Sequence, residues 1–90
     1  MKDKNISSLV IDVGKRKCRA AIKDEEGIIL DEFFFANDRD GRTRLVEAAH
    51  RYSPCRAVLE STANMWIKIH DALEESGIDT KVAHPYKTQG

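Results

Sequence analysis

The sequence has few cysteines, no long hydrophobic run and no net charge, and each shortage excludes a class of protein. Its two cysteines, Cys18 and Cys55, are too few and too far apart for a disulfide framework or a metal knuckle. No apolar run approaches the roughly 20 residues that a membrane span needs, and the charged start is not a secretory signal. The 15 basic and 15 acidic side chains cancel, which argues against a uniformly basic nucleic-acid binder. The 90 residues predict one soluble, cytoplasmic domain over residues 1–90 with a modest core.

The balanced total conceals an uneven charge distribution. Residues 1–23 carry seven basic and two acidic side chains, a net charge of +5, whereas residues 24–40 carry one basic and seven acidic side chains, a net charge of −6. The first block contains the basic turn Lys15-Arg16-Lys17, with Arg19 nearby. These four side chains predict a local contact with nucleic-acid phosphate, and solubilising turn residues are the alternative.

The first half of the chain has the period of β-strands. Strands are predicted over residues 7–13, 18–23 and 28–36, and the first of them is apolar enough to be buried on both faces. Residues 24–27 form a turn, because three adjacent carboxylates repel one another in a buried site and the glycine permits positive φ. Such short connections require an antiparallel meander.

The second half alternates helices and strands. It contains, in order, a predicted amphipathic helix over residues 40–52, a strand over 56–60, a second helix that ends at Gly77 and a strand over 79–84. Thr62 or Asn64 is expected to cap the second helix. The order β-β-β-α-β-α-β predicts an α/β fold with one mixed sheet, in which right-handed crossovers make the last two strands parallel to the first.

Two carboxylates interrupt apolar strands. Asp12 lies in Leu9-Val10-Ile11-Asp12-Val13, and Glu60 ends Ala57-Val58-Leu59-Glu60. If the two strands are parallel neighbours, both side chains converge, and such hard oxygen ligands suit Mg²⁺ or Mn²⁺ and phosphoryl transfer. The simpler alternative is a turn-shaping aspartate and a solvated glutamate at a strand end.

The remaining reactive residues do not assemble a site. The three histidines share no ligand spacing, so zinc is not expected, and the two cysteines are most simply small buried residues. His70 and Glu74 are four residues apart and predict a surface pair on the second helix.

Two other functional classes stay open at this stage. Asp12-Val13-Gly14 followed by Lys15 resembles the first phosphate loop of actin-like and sugar-kinase ATPases, which would make the domain a nucleotide-binding lobe. Alternatively, the chain is a non-catalytic interaction module that forms homo-oligomers through the Phe33-Phe34-Phe35 strand, if that strand is an exposed edge.

Three segments together resemble one family. They are Leu9-Val10-Ile11-Asp12-Val13-Gly14-Lys15, Ala57-Val58-Leu59-Glu60-Ser61-Thr62 followed by Asn64 and Trp66, and His84-Pro85-Tyr86-Lys87-Thr88. They resemble the N-terminal, RuvC-like region of the DEDD insertion-sequence transposases related to the pilin-gene invertase. Ala63 and Met65 depart from the pattern, which would have glycine and an aromatic residue there.

The resemblance implies a fold, a metal and a partner. The fold would be ribonuclease H-like, with sheet order 3-2-1-4-5, and Asp12 and Glu60 would be catalytic metal ligands for Mg²⁺ or Mn²⁺. DNA would be the partner in transposition, with a guide RNA in some members and no membrane. The family's other two aspartates and its serine-bearing domain lie beyond the stretch that matches this chain. The 90 residues are therefore expected to be an N-terminal fragment of a larger transposase, inactive and poorly metal-binding alone.

Overall fold

The computed structural model describes residues 7–54, 56–61 and 64–83. In chain order it contains β1 (Ser8–Asp12), β2 (Lys17–Lys23), β3 (Ile29–Ala36), α1 (Arg39–Tyr52), β4 (Arg56–Glu60), a 3₁₀ turn (Asn64–Trp66), α2 (Ile67–Glu75) and β5 (Thr80–Ala83). This confirms the element order expected from the sequence. The predictions that involve Cys55, Thr62, Ala63 and residues 84–88 lie outside the described residues.

All five strands form one mixed sheet. Its order is β3-β2-β1-β4-β5, as the family resemblance implied. The first three strands are antiparallel neighbours, because short turns connect them. The two strands that follow helices pair in parallel, β4 with β1 and β5 with β4. The central position of β1 therefore gives it an antiparallel neighbour on one side and a parallel neighbour on the other.

The sheet buries one face, which corrects the expectation that β1 is buried on both. Leu9 and Ile11 are fully buried, whereas Val10 is half-buried and Asp12 is exposed. The reason is that α1 and α2 contact each other and pack on the same side of the sheet. Within residues 7–54, 56–61 and 64–83, no element covers the opposite side, and on that side Phe34 is 61% exposed.

α1 begins and ends at well-defined signals. The carboxylate of Asp38 accepts a hydrogen bond of 2.8 Å from the backbone N–H of Gly41, which satisfies one of the free donors of the first turn. At the other end Ser53 adopts a left-handed conformation with φ of 49°, and Pro54 follows it. Leu45 and Ala49 lie on the face of the helix that enters the core.

α2 begins later than the sequence indicated. Asn64 does not cap it but opens the 3₁₀ turn, and Trp66 occupies the cap position without a side-chain hydrogen bond to the helix. Ile69 and Leu73 of α2 are fully buried, whereas Met65 on the turn is exposed. Gly77 follows the helix with φ of 87°, as predicted for a terminating glycine. No helix among the described residues is long and apolar enough to cross a membrane.

Candidate metal and nucleic-acid site

Asp12 and Glu60 are direct register partners on neighbouring parallel strands. Each is the last residue of its strand, so both lie at the same edge of the sheet. Adjacent strands are about 4.8 Å apart, and paired residues project to the same face. Both side chains are exposed, on the face opposite the helices. The fold therefore brings together the two carboxylates that the sequence singled out.

Backbone hydrogen bonds fix the position of this pair. The N–H of Val13 donates to the carbonyl oxygen of Glu60 at 2.9 Å, which continues the β1–β4 ladder one residue beyond Asp12. On the other side of Glu60, the N–H of Ser61 donates to the carbonyl oxygen of Ala83 at 3.4 Å. The two carboxylates thus project from a backbone that neighbours hold on both sides.

The pair faces a shallow hollow that also contains two cations. The hollow measures about 210 Å³ and is lined by Val10, Asp12, Arg19, Ala21, Lys23, Ile29 and Glu60. Arg19 is the register partner of Asp12 on β2, and its guanidinium forms an ion pair with Glu32 of β3. Lys23 lies at the other end of the hollow, as the register partner of Ser8. The hollow opens on the side of the sheet that no described helix covers.

The four basic residues predicted to contact nucleic acid do not all face the same hollow. Lys17 places its ammonium 5.0 Å from the centre of the Phe34 ring, a cation–π contact. Arg19 is held by its acidic partner on β3. Arg16 is exposed in the turn, and Lys15 lines a separate cleft on the helix-covered side. Lys17 and Arg19 nevertheless line one hollow with Asp12, and the contact of these residues with nucleic acid stays a prediction.

The thiol of Cys18 is close to the site but unsuited to chemistry. Burial raises the pKa of this thiol, the charge of Asp12 raises it further, and a hydrogen bond to the Gly14 carbonyl oxygen opposes both. The Sγ–O distance of that bond is 3.8 Å. Because a thiol with a raised pKa carries little thiolate, Cys18 serves as a small buried residue, as expected.

The histidines form no metal site among the described residues. In that part of the chain no group of three or more His, Cys, Asp or Glu side chains is arranged to hold an ion. His70 Nε2 lies 3.9 Å from Glu74 Oε2 on the surface of α2, which confirms the predicted pair. Asp12 and Glu60 form a pair of carboxylates and not a group of this size.

A second cleft lies at the same edge of the sheet, on the side that the helices cover. The side chain of Asn37, which follows β3, forms its floor. Its Nδ2 donates to the carbonyl oxygens of Gly14 at 3.2 Å and Met65 at 3.3 Å, and its Oδ1 accepts from Arg42 at 3.5 Å. The backbone N–H of Asn37 donates to the carbonyl oxygen of Arg16 at 2.9 Å. One residue thus joins the turn after β1, the start of α1 and the 3₁₀ turn.

Sequence reasoning missed the cations of this cleft other than Lys15. They are Arg39 and Arg42 in the first turns of α1 and Lys68 at the start of α2. The available signal was the basic residues at the start of the first predicted helix, where the helix dipole favours acidic ones. Their convergence could not be predicted, since three segments distant in sequence bring them together.

Comparison with known proteins connects this geometry to a family. A fowlpox virus resolvase, solved with its substrate Holliday junction DNA, superposes with a TM-score of 0.63 at 17% identity, over 94% of this chain and 64% of the resolvase. Pelota from Archaeoglobus fulgidus gives 0.64 at 9% identity, over 90% of this chain and 26% of Pelota. The ethanolamine utilization protein EutJ from Carboxydothermus hydrogenoformans gives 0.54 at 15% identity, over 91% and 38%.

These identities establish a shared fold and nothing more, and the chain spans less than two thirds of each of the three proteins. No curated protein matches the sequence. The sequence model of the IS110-type DEDD family, described as a transposase, matches residues 9–90. The match favours the transposase interpretation over the nucleotide-binding lobe. Because it covers nearly the whole chain, the chain belongs to the IS110-type DEDD transposases and is an N-terminal domain with a RuvC-like, ribonuclease H-like α/β fold.

Proposed function

We propose that this domain supplies two acidic metal ligands, Asp12 and Glu60, to a site that cuts and rejoins DNA during transposition. The observation that most directly supports this proposal is that the two residues are register partners at the ends of the parallel strands β1 and β4. Strand ends at one edge of a sheet are a favourable place for such groups, because the following loops leave them accessible. The family membership supports the assignment to DNA transposition.

The donor set fits a hard divalent ion. Mg²⁺ is usually bound by one or two protein carboxylates and completes its shell with waters and substrate phosphates. Asp12 and Glu60 offer that number of carboxylates in an open hollow of about 210 Å³. When bound, the ion would supply Lewis-acid stabilisation of charge on a phosphodiester. The chain's own residues hold the two carboxylates in register and place Arg19 beside Asp12.

DNA is the proposed partner, and a guide RNA and a second copy of the chain are two further predicted partners. The structural similarity to a resolvase that was solved with Holliday junction DNA supports DNA. A guide RNA is implied by the family resemblance alone and stays a prediction. Self-association through β3 also stays a prediction, and its support is that β3 is an edge strand on which Leu30 is 49% and Phe34 is 61% exposed.

A paramagnetic titration tests the metal ligands directly. Mn²⁺ added to the ¹⁵N-labelled chain should broaden the amide signals around residues 12 and 60 before others. Asp12→Asn and Glu60→Gln should each abolish that selective broadening, whereas Glu75→Gln, at an exposed position on α2, should preserve it. Broadening that persists in both site variants would contradict the proposed ligands.

A further inference from the structure

The second cleft is large and strongly basic. It measures about 590 Å³, within the range of about 300–1,000 Å³ that is common for ligand sites. Four of its lining side chains are cationic and one is acidic. The cations are Lys15, Arg39, Arg42 and Lys68, and the acid is Asp38. We refer to this cavity as the basic cleft.

The positive charge of the basic cleft is not neutralised from within. Among the described residues, Lys15, Arg39 and Lys68 have no acidic partner within ion-pair distance. Arg42 donates to the neutral amide of Asn37. The Asp38 carboxylate is already engaged in capping α1. The cavity therefore has a net positive charge that a bound anion would offset.

Stability of the fold does not explain these positions. Arg39 and Arg42 lie in the first turns of α1, and Lys68 is the second residue of α2. Cations at helix N-termini are unfavourable, because the helix dipole is positive there. Asp40 compensates in the first turn of α1, but α2 has no acidic residue in its first turn. Residues that weaken helices while sharing one cavity point to a ligand of opposite charge.

We propose that the basic cleft binds the phosphodiester backbone of a DNA strand. Cations from three segments, spread around a cavity of this size, suit several phosphates of one strand better than a single small anion. Lys15 lies three residues beyond Asp12, and the 3₁₀ turn begins four residues beyond Glu60, so the cleft and the carboxylates share one edge of the sheet. The inference rests on the proposed function in that the strand is the one presented to those carboxylates.

Hydrogen bonds of Asn37 hold the segments around the basic cleft together. Asn37 bonds to the turn that carries Lys15, to the turn before Lys68 and to Arg42 itself. A preordered cleft loses less conformational freedom when it binds. Binding is therefore expected without rearrangement of the described backbone.

A pair of matched double variants tests the inference. DNA binding is measured by fluorescence anisotropy with a labelled oligonucleotide, in EDTA, over a series of salt concentrations. Arg39→Ala/Lys68→Ala removes two cations of the cleft, and Arg44→Ala/Arg51→Ala removes two exposed cations of α1 that line a different hollow beside β3. Circular dichroism and denaturant unfolding establish that both variants are folded.

The cleft variant should bind at least about tenfold more weakly at low salt. The slope of log K against log salt should also fall by about two, one unit for each lost phosphate contact. The control variant should keep the slope of the original chain. Equal losses in both variants, or an unchanged slope in the cleft variant, would overturn the proposal. The same anisotropy measurement is made with a labelled RNA oligonucleotide. If the cleft variant loses RNA binding but keeps DNA binding, the proposal is overturned, because the cleft would then bind a different nucleic acid.

The outcome is separable from the test of the metal ligands. EDTA removes divalent ions, so the anisotropy measurement does not depend on Asp12 or Glu60 as ligands. If the cleft variant binds DNA as the original chain does but Mn²⁺ broadens the signals around residues 12 and 60 selectively, the cleft proposal is wrong and the proposed metal ligands are still supported. Salt-dependent binding through the cleft without such broadening supports the cleft and contradicts the metal ligands.

Discussion

The side-chain amide of Asn37 donates a hydrogen bond of 3.2 Å to the carbonyl oxygen of Gly14, 23 residues earlier in the chain. This bond joins the end of β3 to the turn that follows Asp12. The same nitrogen reaches the 3₁₀ turn that follows β4. One amide therefore links the loops behind both candidate metal ligands, and it also forms the floor of the basic cleft.

Replacing Asn37 with alanine should loosen that edge of the sheet. The change leaves the carbonyl oxygens of Gly14 and Met65 without this donor, and the expected loss in free energy of unfolding is about 1–3 kcal/mol. Amide hydrogen exchange should accelerate at residues 14–16. Asn37→Asp should lose less, because its carboxylate lacks the donor but keeps the contact with Arg42 in the basic cleft. Denaturant unfolding checks the prediction, and an unchanged midpoint in Asn37→Ala would contradict it.

Gly41→Ala should destabilise the domain, although alanine normally favours a helix. A Cβ at this position would lie 1.8 Å from the carbonyl oxygen of Ala36, at the end of β3. Backbone must move to admit it, at a cost of about 1–3 kcal/mol or more. Thermal unfolding measures the effect.

Thr43→Ala is the matched control for that change, because Thr43 is exposed two residues further along α1. It should alter stability by less than about 0.5 kcal/mol. A Gly41→Ala protein as stable as the original would show that β3 and α1 separate more easily than this contact indicates.

Ser53→Gly should have the opposite effect and stabilise the chain. Ser53 has φ of 49°, a left-handed conformation that a side chain disfavours and glycine adopts freely. Relief of the left-handed conformation contributes about 1–2 kcal/mol, and the greater freedom of glycine in the unfolded chain subtracts about 0.4–1 kcal/mol. Loss of the 3.3 Å hydrogen bond from the Ser53 hydroxyl to the His50 carbonyl oxygen reduces the net gain somewhat further. Ser76→Gly is the control, since Ser76 has φ of −90° and should gain nothing. Equal gains in both variants would contradict the conformational explanation.

The element order and the acidic pair were predictable because both are recorded in local patterns. Alternation identified the strands, and the acidic Asp24–Gly27 turn identified the hairpin between β2 and β3. The pairing of Asp12 with Glu60 followed from the chirality of crossovers, which makes β4 parallel to β1. A residue's position within its own strand was then sufficient to place both carboxylates at one edge.

Features that depend on distant packing were not predictable in the same way. An apolar residue such as Val10 is predicted to be buried whether or not a helix covers it. The sequence therefore did not indicate that one face of the sheet is left uncovered by the described helices. Asn64 resembles a helix cap until the 3₁₀ turn places the start of α2 later. The basic cleft depends on Asn37, whose side chain forms hydrogen bonds with residues 23 and 28 positions away in the chain. No local sequence pattern predicts such contacts.

Tyr52 should make stability fall at high pH. Its hydroxyl donates a hydrogen bond of 3.0 Å to Asp31 Oδ2, which ties the end of α1 to β3. That bond is the main reason that the pKa of Tyr52 lies above its ordinary value of 10.0, and burial and the charge of Asp31 raise it further, while Arg51 lowers it. The folded state therefore holds the phenolic proton more tightly than the unfolded state does.

The sign of the pH effect follows from that difference. Stabilisation by the neutral phenol is fully present below the pKa of the unfolded state and is lost as pH rises through the higher pKa of the folded state. Between about pH 9 and pH 11 the free energy of unfolding of the original chain should fall more steeply than that of Tyr52→Phe, which lacks the titrating group. Lysine titration affects both proteins equally, so the difference between their unfolding curves isolates Tyr52. Parallel curves over this range would show that the hydrogen bond to Asp31 does not hold the proton.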